Sequence, residues 1–320
     1  SHRHPTQLLT PAMAGLLDRI ARARRPPLHA LTPVQARAAY EAGAEVLDLP
    51  RAALPLVRDL SVPGGDGSPR PARLYGSSTR PQPALLYLHG GGFVIGSLKT
   101  HDSLCRQLAL RSGCAVLALD YRLAPEHPFP AAVDDTWAAL GALLHQPQAY
   151  GIESLRAIGG DSAGGTLAAA GALHARDCGW PLALQLLITP GTTAHADTVS
   201  HRLFAQGFLL DAATIAWMFD HTIPYHHRHD WRFAPLNADV DGVAPACVIL
   251  AECDPLVDEG LAYADRLRAA GVAVTLELTR GVTHDFIKMG RALKEAHAAL
   301  DVAAAALKAA LHPLQQSQES

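Results

Sequence analysis

Apolar positions along the chain change their spacing near residue 50. Before it, "PAMAGLLDRIARAR" and "TPVQARAAYEAGAEVL" repeat apolar residues at helical intervals, with Pro26 and Pro27 between them. They predict two helices that pack on another part of the chain. After it the period shortens. "VRDLSVPG" and "RPARLYG", separated by a Gly/Pro/Ser-rich turn at 63–69, and then "PALLYLHG", read as strands. The last is apolar on both faces, which requires a sheet covered on both sides.

Strand and helix patterns then alternate. "CAVLALDY", an Ala-rich helix opening at Pro130, "LRAIGGD", a helix after Ser162, "ALQLLITP", "ACVILAECD", a helix near 257–270, "VAVTLELT" and a helix ending near Leu311 follow in turn. This order predicts an α/β fold with a mostly parallel, doubly wound sheet. Between Pro190 and about Pro235 the alternation lapses into a stretch with a helical centre and no strand. It reads as an insertion over the strand ends, where ligands of open α/β sheets bind. The tail "QQSQES" reads as frayed, and no internal repeat is visible.

Composition narrows the partners. A chain of 320 residues suits one α/β unit with an inserted cap. Its 27 Lys and Arg against 30 Asp and Glu leave it near neutral. No Lys/Arg-rich run offers a footprint for nucleic acid or an anionic membrane. No segment approaches the ~18 apolar residues of a membrane span, and the N-terminal sequence lacks a signal peptide's apolar region. Five cysteines, an odd number without a CxxC pair, sit mostly in apolar segments. Free buried thiols in a reducing compartment, and so a cytoplasmic protein, are expected.

The chemistry concentrates at predicted strand ends. "AIGGDSAGG" sets Gly160, Ser162 and Gly164 as G-x-S-x-G between a strand and a helix, where small neighbours allow a sharp turn that lifts the serine hydroxyl clear of the sheet. A serine nucleophile on such a fold needs an acid and then a histidine downstream. "ILAECDPLVDEG" ends its strand at Asp254, and "TLELTRGVTHDF" leads from the next to His284. Asp258 and Glu259 compete with Asp254, but they fall where a helix begins and suit its N-terminal charge. Gly90, Gly91 and Gly92 follow the strand "LLYL". Bare backbone there offers N–H donors to an oxyanion, with Ala163 after the serine as the other donor. The phosphate alternative fails, because "GGFVIGSL" carries Ser97 where a P-loop needs lysine.

"HGGGF" at 89–93, "YRLAPEHPFPAAVDD" at 121–135, "GDSAGG" at 160–165 and "DPLVDEG" at 254–260 together resemble the bacterial hormone-sensitive-lipase-type esterases of the α/β-hydrolase superfamily, over about 55–311. The resemblance implies Ser162 as nucleophile, Asp254 as acid and His284 as base. It implies an oxyanion hole of Gly91, Gly92 and Ala163, and hydrolysis of short to medium acyl esters with neither cofactor nor metal. It also implies cap helices over 1–50, a catalytic domain over 51–190 and 236–320, and a cap insertion over 191–235. His89 braces the glycine loop in that family, Arg122 and Glu126 look structural, and a homodimer fits the resemblance.

Two positions depart from the family pattern: Asp285 replaces a usual glycine after the histidine, and Ala234 stands where serine is common. The expectation at Asp285 is that a charge beside His284 favours the imidazolium; the alternative is a side chain turned to solvent or to the cap. His221, His226, His227 and His229 lack the companion pattern of a zinc site. Phe204, Phe208, Trp217 and Phe219 read as cap core, with an acyl-pocket role open to some of them. An amidase or peptidase using the same residues is one alternative function. A ligand-binding homologue, as the plant gibberellin receptor is, is the other.

Overall fold

The segments that are apolar on both faces make the centre of one sheet. In the computed structural model, which describes residues 4–195 and 197–312, the strands are β1 (Leu56–Pro63), β2 (Pro69–Gly76), β3 (Pro83–Leu88), β4 (Ala115–Leu119), β5 (Ser154–Asp161), β6 (Leu184–Ile188), β7 (Ala246–Ala251) and β8 (Val274–Thr279). They pair in the order β1-β2-β4-β3-β5-β6-β7-β8. β3 to β8 run parallel, and β1 and β2 form an antiparallel extension. Every residue of β3, β4, β6 and β7 is buried, whereas the edge strand β8 alternates. This is the mostly parallel, doubly wound sheet that the alternation predicts.

Helices cover both faces. α3 (Asp102–Ser112) and α9 (Lys294–Leu311) pack on one, through Leu104, Leu108, Leu300 and Leu307. α4 (Ala131–His145), α5 (Ala163–Cys178) and α8 (Val257–Ala269) pack on the other, through Leu140, Leu143, Leu167, Leu173 and Leu267. α3 escapes the sequence pattern because it buries Asp102, Ser103, Gln107 and Ser112 beside its leucines, so no polar face marks it.

The remaining helices gather over the strand ends. α1 (Pro11–Arg22) starts from a Thr10 cap and buries Met13 and Leu16 in the same cluster as Val282 and Phe286. α2 (Pro33–Gly43) opens on a Thr32/Gln35 capping box. Its Arg37 donates to the carbonyls of Val94 and Ala124 and pairs with Glu126 at 2.6 Å. From the 191–235 stretch come the short α6 (Val199–Leu203) and α7 (Ala212–Thr222). A 3.1 Å bond between His29 and Thr214 joins α7 to the N-terminal segment. The tail "QQSQES" lies outside the described residues, and among those residues no helix is long and apolar enough to cross a membrane.

Candidate active site

Ser162 alone connects β5 to α5, with φ 54° and ψ −117°. A non-glycine residue rarely holds such a conformation unless its surroundings impose it. Its N–H donates to the Ile188 carbonyl at 2.9 Å. Gly164 lets α5 pass close to β3, since a Cβ there would meet the Leu88 carbonyl oxygen. The hydroxyl therefore stands at the N-terminus of a sixteen-residue helix, whose unpaired N–H groups favour negative charge.

The two other predicted side chains reach the same point from successive strands. Ser162 Oγ lies 2.9 Å from His284 Nε2, and His284 Nδ1 lies 2.7 Å from Asp254 Oδ2. The Leu256 N–H donates to the second oxygen of Asp254 and fixes that carboxylate. Burial favours the neutral imidazole, but the carboxylates of Asp254 and then Asp285 outweigh it and push His284 up to about 9.

The glycine loop lies beside Ser162. Gly91 and Gly92 hold φ of 133° and 60°, and a Cβ on Gly92 would run into the Met218 sulfur from α7. Among the described residues, the N–H groups of Gly91, Gly92 and Ala163 donate to no protein acceptor. The His89 ring stacks on Tyr121 at 4.4 Å and donates through Nδ1 to the Gly90 carbonyl at 2.7 Å. Burial pushes His89 down to about 4, so it is neutral. Arg122 pairs with buried Asp135 at 2.9 Å. His89, Arg122 and Glu126 thus hold backbone and neighbouring elements in place.

A cleft of about 560 Å³, open solvent included, adjoins Ser162. Phe93, Leu210, Ile215, Met218, Phe219 and Phe233 make most of its wall, and Thr193, His201 and Glu259 a polar end. Of the aromatic residues expected in the cap, Phe219 lines the cleft and Phe204 and Phe208 are buried core. Ala234 is also buried in the core. Asp258 and Glu259 stand in the first turn of α8, as expected, but their carboxylates reach further. Asp258 accepts from Ser200 N–H, while buried Glu259 accepts from Thr192 and Thr193 N–H and lies 2.7 Å from His201 Nε2. Glu259 therefore ties α8 to the stretch above the site. Its place within "DPLVDEG" was the available signal; nothing local in the sequence marks Met218. The histidine-rich stretch brings His226 against His227 and His195 against His229, and among the described residues no three potential metal ligands converge.

The sequence profile of the α/β-hydrolase fold matches residues 85–288, spanning the glycine loop, Ser162, Asp254 and His284. The chain belongs to the α/β-hydrolase family. Among this hydrolase's relatives, the ethyl acetate hydrolase of Pseudomonas putida is 41% identical over 316 residues, covering 94% of this chain and 98% of that protein. The carboxylic ester hydrolase LipN of Mycobacterium tuberculosis is 45% identical over 249 residues, 73% of this chain and 65% of its own length. An α/β hydrolase from the metagenome of Lake Arreo, Spain, superposes with a TM-score of 0.90 at 39% identity, over 95% of this chain and 98% of the other. These likenesses place the hydrolase in the hormone-sensitive-lipase-type branch that its motifs resemble.

Proposed function

We propose that this protein is a carboxylesterase in which Ser162, His284 and Asp254 act as a catalytic triad on short- to medium-chain acyl esters. The chain is a carboxylic ester hydrolase like its relatives. The observation that carries the residue assignment is the unbroken run from Ser162 Oγ through His284 to Asp254, at 2.9 and 2.7 Å. Neutral His284 takes the Ser162 proton as Oγ attacks the ester carbonyl. The oxyanion that forms accepts hydrogen bonds from the backbone of Gly91, Gly92 and Ala163. His284 then returns the proton to the leaving alcohol, and water releases the acid by the same route. Asp254, at 2.7 Å from Nδ1, supports the imidazolium at each turn. Substrate, water and these residues account for every proton and electron pair.

The apolar wall of the cleft supports an acyl chain as its occupant, and its closure by α7 sets a limit below about ten carbons. A series of p-nitrophenyl esters of rising length tests this, with a matched anilide to separate esterase from amidase action. Activity on the anilide equal to that on the ester overturns the esterase reading. A cytoplasmic location is supported by five free cysteines, four of them buried. A homodimer is the assembly the family likeness favours, and light scattering decides it.

A further inference from the structure

We propose that Asp285 serves as a second carboxylate on the catalytic histidine, its negative charge holding a proton on His284 that blocks it as the base for Ser162 and so raising the pH at which the enzyme switches on. The inference rests on the serine-esterase reading above. Its basis is geometric. Asp285 adopts φ 57° and ψ 25°, the left-handed conformation that suits the glycine this family usually carries there and that aspartate tolerates. The turn sends the carboxyl inward, with the side chain only 18% exposed. One oxygen lies 3.9 Å from His284 Nε2, the nitrogen that faces Ser162. The other accepts from the Thr189 hydroxyl at 3.3 Å, and Thr189 itself sits at φ 40° just past β6. The imidazole is thus held between two carboxylates, Asp254 on Nδ1 and Asp285 near Nε2.

The groups around Asp285 do not neutralise it. Asp161, at the end of β5, adds a second negative charge nearby. Asp161 is already engaged by the Tyr87 hydroxyl at 2.6 Å, the Gly90 N–H at 3.0 Å and His101 at 3.0 Å. Lys288, on the following turn, is bound to Asp48 at 2.8 Å and to the Thr100 carbonyl at 2.7 Å. From β3 and α2, Tyr87 and Tyr40 also feel the Asp285 charge, and both are raised well above the usual phenol range, burial first. Burial and then Asp161 push Asp285 up to about 7. The charged forms of Asp285 and His284 therefore support one another, each against its own burial. With the proton on His284 the base is blocked; with it on Asp285 the imidazole is free to accept from Ser162. The titration belongs to the pair.

At 3.9 Å a unit charge shifts its neighbour by about one pH unit in a water-like medium and by roughly three in a protein-like one. Removing the negative charge destabilises the imidazolium, so the acid limb of kcat/KM moves down. The test is a pH profile of wild type and Asp285→Asn on a non-ionising short-chain ester, followed by pH-stat. The expected result is a limb lowered by at least about one unit, so that Asp285→Asn exceeds wild type about tenfold or more where Asp285 is ionised and His284 is still protonated, with the two converging at lower pH where Asp285 is neutral. The ratio also shrinks as pH rises. Asp285→Gly, which suits the left-handed backbone, repeats the measurement should the amide fold poorly. Coincident limbs, an upward shift or a loss equal at every pH overturns the inference. Failure of the underlying reading looks different: Ser162→Ala then retains turnover.

Discussion

The two flanks of Ser162 are built on opposite physical terms. On the side of the glycine loop the cleft is walled by Phe93, Ile215, Met218 and Phe219, and selection there is by volume and apolar contact. On the side of His284 lie three carboxyl groups, Asp254, Asp285 and Asp161, in a region almost free of solvent, and control there is by protons. The flanks also differ in origin. The apolar wall draws on a stretch inserted between β6 and β7, whereas the carboxyl cluster hangs from the ends of β5 and β7 and the turn after β8. A site divided in this way can change its acyl preference through α7 without disturbing the carboxyl cluster.

The largest expected effect removes what the two flanks share. Ser162→Ala lowers kcat on a short p-nitrophenyl ester by about 10⁴-fold or more, leaving the contribution of binding and oxyanion contacts. Retained turnover in the folded variant would falsify the division itself. Gly92→Ala comes next, because it forces a side chain into φ 60° and against Met218. Steady-state kinetics should show kcat down by roughly 100-fold, the scale of one lost oxyanion donor, with a smaller change in KM. Adding Met218→Ala relieves the contact but not the backbone strain, so rescue is partial. Full rescue means the loop's dihedral is immaterial; no rescue means the cap does not press on it.

Met218→Ala by itself has a smaller effect. It opens the apolar flank and moves the chain-length optimum longer by one or more carbons. Each newly accommodated methylene is worth about fourfold in kcat/KM at ~0.8 kcal/mol. The pH limb should stay where it is in wild type, since no carboxyl group moves. A shift in the limb shows that the flanks are coupled.

Much of this was legible in the sequence, for a physical reason. Ser162, Asp254 and His284 each follow a strand of the parallel sheet, so identifying strands by their apolar runs locates all three at one edge of it. The glycine loop is legible in the same way, because bare backbone after β3 serves only a close approach. What local pattern does not encode is contact between distant elements. α3 hides its period behind buried polar residues. Met218 meets Gly92 across 126 positions, a pairing no local periodicity contains. Glu259 stands where a helix-capping charge belongs and yet bonds with Thr192, Thr193 and His201. Asp285 was conspicuous as a departure from the family pattern. Its direction depends on a left-handed turn and on Asp161, set on β5, and the charge that expectation placed beside His284 lies 3.9 Å from its Nε2 rather than in solvent.

Covalent labelling tests whether Ser162 is the nucleophile. A short-chain p-nitrophenyl phosphonate carries an electrophilic phosphorus that the activated serine attacks, with p-nitrophenolate as the leaving group, and it leaves a stable adduct in place of the acyl-enzyme. Intact-mass and peptide analysis of the treated protein should show one phosphonyl group per chain, on the peptide that contains Ser162, with esterase activity lost in proportion. The adduct should be absent from Ser162→Ala and slow to form in His284→Ala. Stoichiometric labelling at another residue, or full activity in protein labelled at Ser162, contradicts the account.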